Sequence, residues 1–382
     1  MANGSDYLRN YGGVSFEEMP FCAADSFVLC QSFYLPVENV YGNLDPKDLT
    51  LRELYMKSFE LRGSKHKAVG VVLSRQISIR AVEVARSERF GTAKVIDFTS
   101  VFTTSPAVQF AAMTLELSDG TAAIVYRGTD DSIIGWKEDV DILVKRGMPS
   151  HKLALDYLER IADHYDNIVI CGHSKGGNLG LWAVLKCEAA TRAKVKALYN
   201  LEGPGFYNYH LYSTPAYREF LDRYYHIIPH GAFIGVMLAH DDDYLVIKSS
   251  APSGPIQHDL TFWIIEDNHP VYMQRLNFVG RFNDLVMKKI VELIPSEYYG
   301  TIEKAADALV KGMGQLYLTG FVQNITSSVK GTVAAWKGLD ADTKSELRES
   351  VRGLGSVLPD ALKETVPVRP AHAPQAAPAE EE

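Results

Sequence analysis

The chain has 382 residues, 46% of them hydrophobic, enough for one large core, which favours a single main domain with appended helices over several equal domains. A formal net charge of -8 leaves no basic surplus for phosphate-driven nucleic-acid binding. Residues 1–10 lack a basic segment followed by an apolar core, no run approaches the roughly 20 apolar residues of a membrane span, and Cys22, Cys30, Cys171 and Cys187 form no C-x-x-C pair; a cytoplasmic protein with reduced thiols and no transmembrane segment is expected.

Asp45-Pro46 resembles a helix cap followed by proline at the first helical position, and Leu51, Leu54, Tyr55 and Phe59 then recur at helical spacing. A further helix is expected over 74–90. From Lys94 the pattern turns to strands over 95–98, 107–117 and 122–126, the last two joined by Ser118-Asp119-Gly120 as a hairpin. Helical spacing returns at Ala154, Tyr157, Leu158, Ile161, Ala162 and Tyr165, ahead of an apolar strand at 168–171, a helix from 175 to about 190 and a strand at 195–201. Helices alternating with short, continuously apolar strands predict an α/β fold with a mainly parallel sheet covered on both faces.

Beyond Asn268 the strand signal fades, and helices are expected to about 358. One of them carries Ile302, Ala306, Leu309, Val310, Met313 and Leu316, a stripe suited to packing on the core and also to a membrane or a partner. Residues 368–382 are mostly Pro, Ala and Glu, a composition that cannot offset its ordering entropy. The expected organisation is an α/β domain at 1–268, a helical extension at 269–360 and a disordered tail at 361–382.

The strongest chemical signal is Gly172-His173-Ser174-Lys175-Gly176-Gly177, which follows an apolar strand and opens a helix. A G-x-S-x-G turn in that context is a nucleophile elbow: the sharp strand-to-helix turn pushes the serine oxygen out of the backbone, and the glycines let neighbouring strands crowd it. The helix start also points amide N–H groups at a developing oxyanion. Upstream, the strand at 122–126 runs into Arg127-Gly128-Thr129-Asp130-Asp131-Ser132, with Trp136 and Asp139 following.

An apolar strand entering aromatic-Arg-Gly-Thr, then Trp-x-x-Asp, then the GHSxGG elbow, resembles the class 3 lipases of the α/β-hydrolase fold. GHSKGGNL at 172–179, Glu202-Gly203-Pro204-Gly205-Phe206 and Gln257-His258-Asp259 resemble more closely a largely uncharacterised bacterial family of lipase-like hydrolases. The likeness covers roughly residues 5–268, Ser15-Phe16-Glu17-Glu18 included. It implies Ser174 as nucleophile, with the amides of Thr129 and Lys175 as oxyanion donors and the Thr129 hydroxyl as a further candidate.

The triad order of this fold, serine then acid then histidine, favours a base late in the chain, and His258 fits both that order and the resembled family. His240 is the runner-up. For the acid, class 3 lipases place an aspartate before an apolar-apolar-Pro, but here His226 precedes Ile227-Ile228-Pro229. The acid therefore stays open between Glu202, at the end of the strand after the elbow helix, and the cluster Asp241, Asp242 and Asp243, or another group or none.

Pro229 between His226 and His230 argues against two imidazoles on one helical face, and no Walker loop or dinucleotide fingerprint occurs, so neither metal nor cofactor is expected. Resemblance implies hydrolysis of carboxylic esters, lipid esters among them, with the aromatics around Phe206 and Tyr209 as acyl pocket or core. The expected partner is a small-molecule or lipid ester, without nucleic acid, and peripheral membrane contact stays open. Two other readings also stay open: an impaired hydrolase fold acting as a binding scaffold, and acyl transfer or thioester hydrolysis through the same acyl-enzyme.

Overall fold

The structure is a computed structural model that describes residues 2–43, 49–63, 75–144, 147–206, 209–238, 240, 243–252, 254–293, 296–350, 352 and 354–365. The N-terminal region forms helices α1 (Gly4–Tyr11), α2 (Ala23–Ser32), α3 (Leu51–Arg62), α4 (Gln76–Arg86) and α5 (Glu88–Gly91). The helix expected after Asp45-Pro46 begins at Leu51, capped by Thr50: its side chain accepts from Glu53 N while the Glu53 carboxylate takes the Thr50 N–H at 2.8 Å. Asp45 and Pro46 lie outside the described residues. The single helix expected over 74–90 is two, because Ser87 turns extended (φ -67°, ψ 147°) and its hydroxyl caps α5 through Phe90 N.

Strands β1 (Lys94–Thr104), β2 (Ala107–Glu116) and β3 (Ala122–Tyr126) form an antiparallel meander. Next come α6 (Ile133–Val144), α7 (Pro149–Ala162), β4 (Ile168–His173), α8 (Lys175–Lys186), α9 (Ala189–Lys194), β5 (Val195–Leu201), α10 (Pro215–Phe220), β6 (Tyr224–Pro229) and β7 (Leu245–Ile247). From β3 to β7 every neighbouring pair is parallel. Strands β8 (Ile265–Glu266) and β9 (His269–Pro270) pair with each other, and β10 (Tyr272–Met273) closes the edge against β7, giving an eight-stranded order β1-β2-β3-β4-β5-β6-β7-β10. Strand structure thus continues a few residues past Asn268, in pieces too short to carry an alternation signal.

The α/β class follows from burial on both faces. On β3, Ala123 and Val125 join one core with Phe27, Phe33, Tyr55 and Trp263, while Ile124 and Tyr126 join another with Tyr157, Leu158, Leu179 and Leu198. A strand clothed on both sides has no polar face to alternate, which is why it reads as a continuous apolar run. The C-terminal helices are α11 (Phe278–Leu293), α12 (Tyr299–Met313), α13 (Leu318–Gln323), α14 (Ile325–Gly338), α15 (Ala341–Ser350) and α16 (Leu354–Thr365). Helix α16 runs five residues into the stretch expected as tail; residues 366–382 lie outside the described residues. Among the described residues no helix is long and apolar enough to cross a membrane.

Candidate active site

Parallel strands deliver their carboxyl ends to one edge of the sheet, and the loops leaving β3, β4, β5 and β6 meet there. Ser174 sits between β4 and α8 with φ 57° and ψ -131°, a conformation that non-glycine residues rarely adopt, and its N–H donates to Leu201 O at 3.0 Å. Close approach makes the turn possible: a Cβ at Gly176 would lie 2.1 Å from the Tyr126 carbonyl oxygen, and one at Gly128 would lie 2.2 Å from Tyr34 Oη. The same Gly128 position faces Ser174 Cβ at 3.2 Å, so the loop after β3 runs directly against the serine.

Glu202 directly follows β5 with φ 49°, a second positive-φ side chain, and its N–H donates to Ile227 O at 2.8 Å. Its carboxylate is 1% exposed, and both oxygens are engaged: Oε1 accepts from Phe233 N at 3.1 Å and Oε2 from His258 Nδ1 at 2.8 Å. His258 ends a 3-10 turn at Gly254–His258. Gln257 pins that turn, its Oε1 accepting from Gly231 N at 2.8 Å and its carbonyl from Trp263 Nε1 at 2.8 Å. The imidazole keeps 22% of its surface exposed and lies 4.3 Å, ring centre to ring centre, from His173, the residue before Ser174.

His173 ties the elbow to His258. Its Nε2 lies 2.9 Å from the His258 carbonyl oxygen and its Nδ1 2.9 Å from Tyr34 Oη. A carbonyl only accepts, so the Nε2 nitrogen carries the proton and the tyrosine hydroxyl donates to Nδ1. Burial first, and then the nearby His258, push the His173 pKa well below its ordinary value, which keeps this ring neutral.

Lys175 is the first residue of α8, where an amide has no intrahelical acceptor. Its side chain turns away into the core, where the ammonium donates to Gln109 O (2.8 Å), Gln109 Oε1 (2.7 Å) and Glu138 Oε2 (2.7 Å). The Thr129 hydroxyl donates to Asp139 Oδ1 at 2.8 Å, so its proton is committed to that carboxylate. Burial pushes Asp139 up to about 6, against the pull of Lys175 and the Thr129 hydroxyl.

Other candidates lie elsewhere. His240 is buried with Nε2 3.2 Å from Asp284 Oδ1 on α11. Asp243 is exposed on its loop, and Asp241 and Asp242 lie outside the described residues. His226 lies within β6, its ring stacked on Tyr224. Phe206 packs in the core against Trp182 and His151. Tyr34, Gln109, Glu138 and the structural use of His173 and Asn178 were not legible in the sequence. Of these, His173 and Asn178 carried a local signal, their place inside the GHSKGGNL motif.

Beside the loop at 127–131 lies a cavity of about 1220 Å³, walled by Tyr34, Phe98, Phe102, Arg127 and Asp130 and closed on one side by Leu316 and Tyr317. A family model described as Mbeg1-like matches residues 84–310, more than half of the chain. The chain belongs to the Mbeg1-like family. That family is associated with lipase-like α/β-hydrolases. The Mbeg1-like match takes in Thr129, the elbow, Glu202 and His258, and it ends inside α12, before the cavity's 316–317 wall. No curated protein matches the chain.

Proposed function

We propose that this protein is a serine hydrolase acting on carboxylic esters, with Ser174 as nucleophile, His258 as general base and Glu202 as the acid that orients it. The carrying observation is the 2.8 Å pair between His258 Nδ1 and Glu202 Oε2, set against the strained serine turn. A carboxylate on Nδ1 fixes the tautomer, so that Nε2 is the nitrogen free to take a proton. With its other oxygen held by Phe233 N, Glu202 is positioned to stabilise the imidazolium that forms.

In this mechanism Ser174 Oγ attacks the ester carbonyl as its proton passes to His258 Nε2. The amides of Thr129 and Lys175 receive the tetrahedral oxyanion, His258 returns the proton to the leaving alcohol, and water releases the acyl group by the same route. The decisive experiment is labelling of the purified protein with a fluorophosphonate probe and mapping of the adduct. Modification of Ser174, lost on heat denaturation before labelling, is the expected result. Folded protein that takes no label would overturn the reading in favour of a binding role for the fold.

A further inference from the structure

Helix α14 packs with its small residues inward. Ser328 is buried, a Cβ on Gly331 would lie 2.1 Å from the Gly312 carbonyl oxygen, and a Cβ on Gly312 would lie 2.6 Å from Ala335 Cβ. The seam against α12 therefore runs along 328, 331 and 335. Ile325, Val329, Val333 and Trp336 recur at steps of four, four and three residues on another face, and all four are exposed. A helix held to its own protein only by folding would turn these large side chains inward and the small ones out. Val322 on α13, then Leu316 and Tyr317, extend the exposed apolar surface to the cavity beside the loop at 127–131.

Charge points to the occupant. Residues 308–339 contain Lys311, Lys330 and Lys337 and no Asp or Glu, in a chain whose formal net charge is -8. An apolar face ending in a tryptophan and accompanied by lysines fits the boundary between the acyl chains and the anionic headgroups of a bilayer. We propose that the outward face of α14, continued through Val322, docks on an anionic lipid surface. Taken with the hydrolase reading, on which this last step rests, the docked protein draws its ester from lipid dissolved there.

The test is flotation of the full-length protein with phosphatidylcholine vesicles, with and without phosphatidylglycerol. Binding is expected to vesicles containing phosphatidylglycerol and to weaken as salt is raised. Trp336 fluorescence should be quenched by lipids brominated in their acyl chains, a signal lost in Trp336→Phe. Val329→Asp combined with Val333→Asp changes exposed positions only, so the fold should persist by circular dichroism while vesicle binding falls at least about tenfold. Lys330→Glu with Lys337→Glu should reduce binding to the anionic vesicles selectively.

Absence of wild-type binding, or undiminished binding by the aspartate pair, would overturn the proposal. So would a concentration-dependent dimer that the aspartate pair dissolves while vesicles stay unbound, since a second copy would then cover the face. Ser174→Ala separates the two readings: it should bind vesicles as the wild type does. A vesicle-binding protein that turns over no ester would sink the hydrolase reading alone, and an active esterase indifferent to vesicles would sink the docking reading alone.

Discussion

Two glutamates flank the elbow at similar depth and are used in opposite ways. Glu138 lies 2.7 Å from the Lys175 ammonium, takes the Gln109 N–H at 2.8 Å on the same oxygen, and accepts the Ser150 hydroxyl on the other. Both ends of that ion pair are sealed, at 0% and 1% exposure. Glu202 is equally buried, but its partner is an imidazole that keeps 22% of its surface open and commits only one nitrogen. A saturated buried pair holds α8, β2 and α6 together, whereas a pair with a nitrogen to spare can accept a proton and give it back. The contrast predicts that damage on the Glu202 side strikes activity and spares the fold, and that damage on the Glu138 side does the reverse.

The largest effects should come from the open side. Ser174→Ala and His258→Ala are each expected to lower kcat on a short-chain ester by about 10⁴-fold or more, and the double variant should be little worse than either, because the two act as a unit. Denaturant midpoints should stay near the wild-type value. Glu202→Gln keeps the shape but weakens control of the His258 tautomer, with an expected loss of about 10²–10⁴-fold in kcat. If Glu202→Gln retained full activity, the oriented pair would have no catalytic part and the acid would have to be sought elsewhere.

On the sealed side, Lys175→Met leaves Glu138 buried without its cation and should cost about 3–5 kcal/mol in urea unfolding. Lys175→Met with Glu138→Leu should recover part of that loss, since two matched apolar groups leave no orphaned charge. Activity per folded molecule should change by less than about threefold, because the proposed oxyanion donor at 175 is a backbone amide. A stable but inactive Lys175→Met protein would erase the contrast.

The two sides differed as much in legibility as in use. The elbow could be read because its constraint is local: glycines that must let backbone approach, a serine between them, a strand before and a helix after. Glu202 and His258 were each visible as candidates, but their pairing spans 56 positions and rests on the β5–β6 register and the Gln257 anchor, which no local pattern encodes. Tyr34, which fixes the ring of His173 from 139 positions away, gave no signal at all. Helix α14 shows a further limit. Periodicity reveals that a helix has two kinds of face; only the Gly312–Gly331 approach decides which one turns inward. The stripe noticed from sequence lies largely on α12, a helix that packs against α6 and α14, yet its residues stay half-buried and Leu316, beyond the helix end, is exposed.

A smaller effect extends the contrast to pH. His151 lies on the sealed side, in the first turn of α7, where Nδ1 accepts the Met148 N–H at 3.1 Å and Nε2 donates to Asn178 Oδ1 at 2.8 Å. Asn178 in turn donates to the carbonyls of Pro204 and Gly205, so this neutral ring links the elbow helix to the loop that follows Glu202. Burial lowers the His151 pKa from 6.5 to about 4. The unfolded chain therefore takes up its proton first. Stability is complete above about 6.5 and falls as the pH drops, by an amount approaching about 3 kcal/mol at pH 4. Urea titrations from neutral pH downwards should show this slope, and His151→Gln should flatten it without abolishing it, because His173 is lowered in the same direction. A His151→Gln protein with the wild-type acid slope would mean that the ring is protonated without cost and that the link through Asn178 holds nothing at neutral pH.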